Sequence, residues 1–221
     1  WTLIGLGACL VYGAFSIPKQ HREQAFYLSI YAAVGALIGA KLLYVAVSFH
    51  AVENLLDLIS SGFVYYGGLM GAIAGAYLYC REYHRNFYLM SQVLVPMIPL
   101  FHSFARIGCF FSGCCFGVES QFFSIEYISP YADPPRCDRI PVQLMEAAAE
   151  GSLFLFLHFY RGNKLFCYMG SYAVFRFFIE FLRGDLARGI FVLSTSQWIS
   201  IFVGIVLFYQ YKKQRRYRKK L

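Results

Sequence analysis

A short segment in the middle of the chain combines an arginine, three cysteines and three glycines. It reads Arg106-Ile-Gly-Cys-Phe-Phe-Ser-Gly-Cys-Cys-Phe-Gly117. Glycines at this spacing let a backbone turn tightly or approach a ligand closely. Thiolates are nucleophiles, and a neighbouring cation lowers the pKa of a thiol. The segment therefore predicts a site with reactive thiols at Cys109, Cys114 and Cys115, bordered by Gly108 and Gly117.

The same cysteines can also be interpreted as residues that take no part in catalysis. Each could be a small buried apolar residue that only fills space. Cys137, on a later polar segment, would form a disulfide with one of the three in an oxidising environment. The spacing Cys-x4-Cys-Cys is not one of the usual zinc patterns, so we predict no metal ion and no other cofactor.

His102 lies four residues before Arg106, which places both side chains on one face of a helix. It is either a buried histidine satisfied by a hydrogen bond or a general base close to the thiols. With these neighbours, we expect at least one thiol to have a pKa below the ordinary value of about 8.5.

A second group of polar residues lies in apolar surroundings further along the chain. The group consists of Gln143, Glu146, Arg176, Glu180 and Arg183. Spacings of three and four align the first two residues on one helix face and the last three on another. A single structural ion pair would explain part of the group. Together with Arg106, however, the group carries more charge than a purely structural membrane protein would tolerate. We therefore predict a functional site.

Composition indicates that membrane helices position these residues. The 221 residues are 58% hydrophobic, 19% aromatic and only 14% charged, which is too little polar surface for a soluble protein of this size. Apolar runs that could span a bilayer lie at roughly 1–16, 25–49, 62–80, 87–107, 142–160, 165–182 and 190–211. We therefore predict an all-α membrane protein of about seven helices, with residues 1–221 forming a single domain.

Charge predicts the orientation of the helices. Cations dominate the connections at 17–24, 81–86 and 161–164 and the basic tail at 212–221, whereas acidic residues dominate those at 50–61, 113–140 and 183–189. By the positive-inside rule, the C-terminus is cytoplasmic and the N-terminus outside, in the cell's plasma or inner membrane. Short strands and turns at 118–140 then form a small extracytoplasmic cap. The net charge of +8 reflects membrane orientation and attraction to anionic lipids. We predict no nucleic-acid partner, because the sequence contains no recognisable nucleic-acid-binding motif.

Tyr66 stands directly before the glycine pair Gly67-Gly68. Glycines recurring through this span favour close packing of two helices in lipid. The tyrosine is either an interfacial residue or a hydrogen-bond donor that points into a cavity.

Five sequence blocks follow one another in an order typical of one family. They are Gly67-Gly-Leu-Met-Gly71, Arg106-Ile-Gly-Cys-Phe110, Pro141-Val-Gln-Leu-Met-Glu146, Phe175-Arg-Phe-Phe-Ile-Glu180-Phe-Leu-Arg183 and Ser194-Thr-Ser-Gln197. In these blocks the chain resembles the prolipoprotein diacylglyceryl transferase family over nearly its whole length. The resemblance implies a seven-helix enzyme, open sideways to lipid, that moves a diacylglyceryl group from phosphatidylglycerol or a related anionic phospholipid to a cysteine thiol of an exported lipoprotein precursor.

The resemblance also implies roles for individual residues. Arg106 and Arg176 would bind the donor phosphate, Glu180 would orient Arg176, and Glu146 would help to order the site. We expect further substrate contacts from Tyr66, Gly67, Gly68, Gly108, Gly117, Gln143 and Arg183.

The sequence departs from the family pattern on the side that should activate the acceptor. Tyr66 replaces the histidine before the glycine pair, and Cys109 and Cys114 replace an asparagine and a glutamate of the signature. We therefore expect His102 to act as a substitute base or a cysteine to act as a covalent relay, and the acceptor to be a thiol or another nucleophile. A membrane thiol–disulfide redox protein and a non-catalytic phospholipid-binding bundle are the alternatives.

Overall fold

A computed structural model describes residues 1–47, 65–184, 189–190 and 193–218. The whole of the predicted connection at 50–61 and the last residues of the basic tail lie outside these ranges. The backbone of Tyr66 is described, but its side chain is not, so its predicted contacts also lie outside them.

The described chain is mostly helical. Its helices are α1 Thr2–Ser16, α2 Lys19–Val47, α3 Tyr65–Glu82, α4 Phe87–Leu94, α5 Met97–Phe111, α6 Val142–Phe159, α7 Lys164–Ile179 and α8 Thr195–Arg218. Within the described residues, three helical stretches are long and apolar enough to cross a membrane: Lys19–Ala46, Phe87–Phe111 and Lys164–Leu182. This confirms a helical membrane protein, while the count of seven spans stays a prediction.

Contacts divide the chain into two compact units, one formed by Gly13–Leu94 and the other by Trp1–Tyr12 with Val95–Leu221. The single-domain assignment stays a prediction.

In the first of these units, α2 and α3 pack through their glycines. A Cβ atom on Gly71 would overlap the carbonyl oxygen of Gly35, and one on Gly67 would overlap that of Gly39. Gly68 has room, with Ala36 and Ala40 atoms 3.6 Å from the position of a Cβ. The close helix packing predicted from the glycines is therefore confirmed at Gly67, because only a hydrogen side chain fits there.

In the second unit, α5 packs on α6, α6 on α7, and α7 on α8. Val95, Leu157 and Tyr168 form a buried apolar cluster. Large apolar side chains elsewhere in the unit face outwards, with Phe159 77% and Phe202 66% exposed. Exposed apolar surface on this scale indicates a lipid-facing exterior.

The predicted short strands are present between α5 and α6. Strand β1 Ile125–Ile128 pairs antiparallel with β2 Arg136–Arg139. The Tyr127 hydroxyl donates to the Phe110 carbonyl at 2.7 Å, and the Ser129 hydroxyl donates to the Gly113 carbonyl at 2.6 Å. These bonds fasten the hairpin to the segment that follows α5. A second short pair, β3 Gly189–Ile190 and β4 Leu193–Ser194, precedes α8.

Candidate functional site

Glu146, on α6, bridges two arginines that come from different helices. Its Oε1 accepts a hydrogen bond from Arg176 Nη1 at 2.6 Å, and its Oε2 lies 3.1 Å from Arg106 Nε. Arg176 Nη2 lies 2.7 Å from Glu180 Oε2 and donates to the Ser196 hydroxyl at 3.3 Å. The four charged side chains are between 3% and 13% exposed. We call Arg106, Glu146, Arg176 and Glu180 the charge array.

The fold brings the charge array together through bonds between helices. The Ser103 hydroxyl of α5 donates to the Ala147 carbonyl of α6 at 2.9 Å, next to the Arg106–Glu146 pair. Gln197 and Ser194 form a reciprocal cap at the start of α8, with bonds of 2.9 and 3.2 Å. Gln197 also donates to the Phe177 carbonyl of α7 at 3.2 Å. The Ser-x-x-Gln block thus fixes the end of α8 that carries Ser196.

Parts of the charge array lack hydrogen bonds. Arg106 Nε and Glu146 Oε2 are buried and have no hydrogen-bond partner among the described residues, although they form an ion pair. Buried donors are rarely left unpaired, because losing the hydrogen bond to water costs free energy. A ligand with acceptor oxygens would satisfy the Arg106 donor.

His102 pairs with a residue that the sequence analysis missed. Its Nδ1 lies 3.0 Å from Glu150 Oε1, and its ring centroid lies 5.8 Å from that of Tyr172. Glu150 follows Glu146 by one turn of α6 and is 2% exposed. A second acid at i+4 in an apolar helix was a signal for a buried site. The role of His102 as a base stays a prediction.

An apolar cleft of about 340 Å³ lies between α6 and α7, beside Glu150. Its walls are formed by Ala149, Ser152, Leu153, Phe156, Ser171, Tyr172 and Phe175. An apolar chain is the ligand that such walls favour.

The three cysteines of the central segment converge. Their Sγ atoms all lie within 4.8 Å of one another. Cys115 has a φ angle of 58° and Gly113 one of 74°, so the chain turns back on itself between them. All seven cysteines lie within the described ranges, and each is free, Cys137 included. We call Cys109, Cys114 and Cys115 the sulfur cluster.

Gln143 holds the sulfur cluster to α6. Its side-chain amide donates to the Cys114 carbonyl at 2.7 Å and to the Tyr127 hydroxyl at 3.1 Å, and the residue is 1% exposed. These contacts give Gln143 a positioning role, and its predicted contact with substrate stays a prediction.

Arg183 is held beside the sulfur cluster by a backbone bridge to Gly117. The bonds are Val118 N–H to the Leu182 carbonyl and Gly184 N–H to the Phe116 carbonyl, both 2.9 Å. The hydrogen bond from Cys109, followed by the charges of Arg183 and Arg106, holds the pKa of the Cys115 thiol well below its ordinary value, against the effect of burial. The direction is that predicted for one thiol, and it arises without His102 as a cause.

Two of the predicted glycines in this unit, Gly108 and Gly117, are closely packed. A Cβ atom on Gly108 would lie 2.9 Å from the Cβ atom of Trp1, and one on Gly117 would overlap the Ile140 carbonyl oxygen. Gly67, Gly68 and Tyr66 belong to the other unit. The roles of these residues in substrate binding stay predictions.

A cavity of about 630 Å³ borders the sulfur cluster on the side of the hairpin. Cys114 and Cys115 line it, together with Phe116, Val118, Glu119, Tyr131, Ala132, Asp133, Arg139 and Gly184. Its volume falls in the range of about 300–1,000 Å³ that is typical of ligand sites.

Comparison with known proteins assigns the chain to a family. The profile of the prolipoprotein diacylglyceryl transferase family matches residues 1–211. A phosphatidylglycerol–prolipoprotein diacylglyceryl transferase of Clostridium tetani is 32% identical, over 93% of this chain and 92% of the relative. A second protein of that name, from Clostridium perfringens, is 34% identical over 96% and 89%. The chain therefore belongs to the prolipoprotein diacylglyceryl transferase family.

Proposed function

We propose that this membrane enzyme transfers a diacylglyceryl group from phosphatidylglycerol to a cysteine thiol of an exported prolipoprotein. Family membership and the names of the Clostridium relatives support the reaction. The main structural support for the proposal is the buried charge array. Its two arginines are suited to bind a phosphodiester in an apolar environment.

The paired guanidinium groups of the charge array favour an anionic ligand. Arg106 lies 3.1 Å from Glu146, and Arg176 lies 2.6 Å from Glu146 and 2.7 Å from Glu180. The phosphodiester of phosphatidylglycerol carries one negative charge. The two guanidinium groups would stabilise that charge, which matters because an uncompensated charge is costly in a buried environment.

The same charges would assist the reaction. The thiolate attacks the glycerol carbon that carries the phosphate, the carbon–oxygen bond breaks, and glycerol phosphate leaves with a second negative charge. Arg106 and Arg176 would stabilise this developing charge, with Glu146 and Glu180 holding both guanidinium groups in place. Preorganised charge of this kind is usually the largest single catalytic contribution. The apolar cleft between α6 and α7 would receive an acyl chain of the donor.

The proposed topology has seven spans, with the N-terminus outside, the C-terminus in the cytoplasm and the β1–β2 hairpin as an outer cap. The charge asymmetry of the connections supports it, and the cell's plasma or inner membrane is the proposed location. A reporter fused after Leu221 should read cytoplasmic, as should one inserted near Arg161, and one near Asp133 should read external. The reverse pattern would overturn the topology.

The reaction is tested with acyl-labelled phosphatidylglycerol and a cysteine peptide, with the purified protein in lipid nanodiscs. Label should move to the peptide through a thioether. Arg106→Ala and Arg176→Ala should each lower turnover by about 10²–10³-fold, the usual loss for one charge-stabilising group. Lysine should rescue poorly at either position, because it lacks the planar fork of donors.

Arg136→Ala is the matched control, because Arg136 pairs with Glu126 on the hairpin and is 64% exposed. It should keep full turnover. Wild-type turnover in both array variants would show that the phosphate binds elsewhere. Lipid binding without transfer would favour a non-catalytic lipid-binding protein, and disulfide exchange without lipid turnover would favour a redox protein.

A further inference from the structure

We propose that the sulfur cluster binds a Zn²⁺ ion through three thiolates and leaves the fourth coordination position open to the thiol of the acceptor. This inference rests on the proposed transfer reaction for the identity of its substrate. The metal site itself rests only on the arrangement of Cys109, Cys114 and Cys115.

The first argument is the distance between the sulfur atoms. A Zn–S bond of about 2.3 Å sets S–S separations of roughly 3.8 Å in a tetrahedral site and roughly 4.0 Å in a trigonal one. The three Sγ atoms already lie within 4.8 Å of one another. Adjustments of less than about 1 Å would bring them to bonding distance. The usual spacings of zinc motifs did not suggest this, because the chain reversal at Cys115 brings the third sulfur back.

The second argument is that the loop is fixed in place. The Cys114 N–H donates to the Cys109 carbonyl at 3.2 Å. This bond closes the turn between the two cysteines and so fixes the positions of their side chains relative to each other. Gln143 holds the Cys114 carbonyl from α6, and Ser129 holds the Gly113 carbonyl from the hairpin. Ligands supported in this way are preorganised, which strengthens metal binding.

The third argument is charge. Three thiolates on Zn²⁺ carry one net negative charge. The backbone bridge to Gly117 fixes Arg183 beside Cys115, and Arg106 lies three residues before Cys109 on α5. These two cations favour an anionic metal complex over a neutral one, because opposite charges attract strongly where water is scarce.

The fourth argument is access. Cys114 and Cys115 line the cavity of about 630 Å³ under the hairpin. Three protein ligands with one open position is the arrangement of catalytic zinc sites, and structural sites use four. A cysteine side chain that enters the cavity would complete the coordination.

Zinc at this place would activate the acceptor thiol. A thiol that coordinates a metal loses its proton, which passes to water. The zinc-bound acceptor sulfur would then donate an electron pair to the glycerol carbon of the lipid, the bond from that carbon to the phosphate oxygen would break, and the oxygen would leave with the bonding pair. The products are a thioether and a glycerol phosphate dianion, and no electron donor or acceptor is required.

Metal binding is measured first on the full chain in detergent, without an activity assay. The wild type should bind about one Zn²⁺ per chain. With Co²⁺ as the probe, it should show sulfur-to-cobalt charge-transfer absorption. Cys109→Ser, Cys114→Ser and Cys115→Ser should each weaken binding beyond the roughly 10–100-fold that loss of a supporting contact costs. Cys137→Ser, which changes a cysteine on the hairpin outside the cluster, should bind as the wild type does.

The open position is tested by adding a peptide with one cysteine to the Co²⁺ protein. The charge-transfer absorption should increase with this peptide and stay constant with a serine peptide of the same sequence. A wild type that binds no Zn²⁺, cluster variants that bind it as tightly as the wild type, or a spectrum that ignores the cysteine peptide would each overturn the inference. Because the wild-type spectrum is sufficient, the result does not depend on whether every variant folds.

The two proposals fail in different ways. Diacylglyceryl transfer by a protein that binds no metal would refute the zinc site and leave the proposed function standing. A cluster that binds Co²⁺ and the cysteine peptide, in a protein that transfers no lipid, would support the zinc site and refute the function.

Discussion

Replacing Glu146 with glutamine should destabilise the protein strongly, although the two side chains have nearly the same shape. Glu146 is 2% exposed and faces two guanidinium groups, at 2.6 Å from Arg176 and 3.1 Å from Arg106. Glutamine removes the negative charge and leaves Arg106 without its ion-pair partner. Breaking a buried ion pair by removing one partner costs roughly 3–5 kcal/mol.

Thermal unfolding in detergent, followed by intrinsic fluorescence, measures this loss. At roughly 2–4 °C per kcal/mol for a chain of this size, Glu146→Gln should lower Tm by roughly 6–20 °C. Glu126→Gln is the matched control, because the Arg136–Glu126 distance is also 2.6 Å while the two side chains are 64% and 60% exposed. It should leave Tm unchanged, since solvent screens exposed pairs.

A double mutant then separates charge from shape. Arg106→Gln combined with Glu146→Gln removes one charge of each sign and leaves the Arg176–Glu180 pair at 2.7 Å in place. The double variant should therefore be more stable than the sum of the single changes predicts, by roughly 0.5–3 kcal/mol. If the effects add, or if Glu146→Gln melts within a degree or so of Glu126→Gln, the charge array does not depend on buried compensation and the reasoning is wrong.

Three further changes test how the site is held. Gly117→Ala should lower Tm and turnover, because its Cβ would overlap the Ile140 carbonyl, whereas Gly204→Ala has open space and should be tolerated. Ser194→Ala removes the cap of α8 and should cost about 0.5–2 kcal/mol in thermal unfolding, with normal Tm refuting the cap. Gln143→Leu leaves the Cys114 carbonyl without its donor and should cost roughly 1–3 kcal/mol. An unchanged Tm with a raised KM for lipid would instead make Gln143 a substrate contact.

The sequence could predict contacts that arise within one helix. Arg176 and Glu180 are four residues apart, and the ion pair expected from that spacing is present. The glycine pattern likewise predicted the packing at Gly67, because small residues at regular spacing have one main use in lipid. The ion pair depends on local geometry alone, and the glycines need only a neighbouring helix that comes close.

The pairing of polar side chains between helices could not be predicted in the same way. The pair between Arg106 and Glu146 joins residues 40 positions apart, and it depends on how α5 and α6 pack. The partner of His102 could not be predicted either, because the same packing places Glu150 beside it. The convergence of the three sulfurs depends on a positive φ at Cys115, a conformation that spacing rules for metal ligands do not include.

The two halves of the site are linked by a shared spacing on two helices. On α6, Gln143 contacts the Cys114 loop and Glu146 contacts the arginines, and on α5 Arg106 and Cys109 are also three residues apart. Three residues of α-helix rise about 4.5 Å. The same two helices therefore hold the sulfur cluster and the charge array less than one helical turn apart, so an acceptor thiol at the cluster and a donor phosphate at the array would meet in one site.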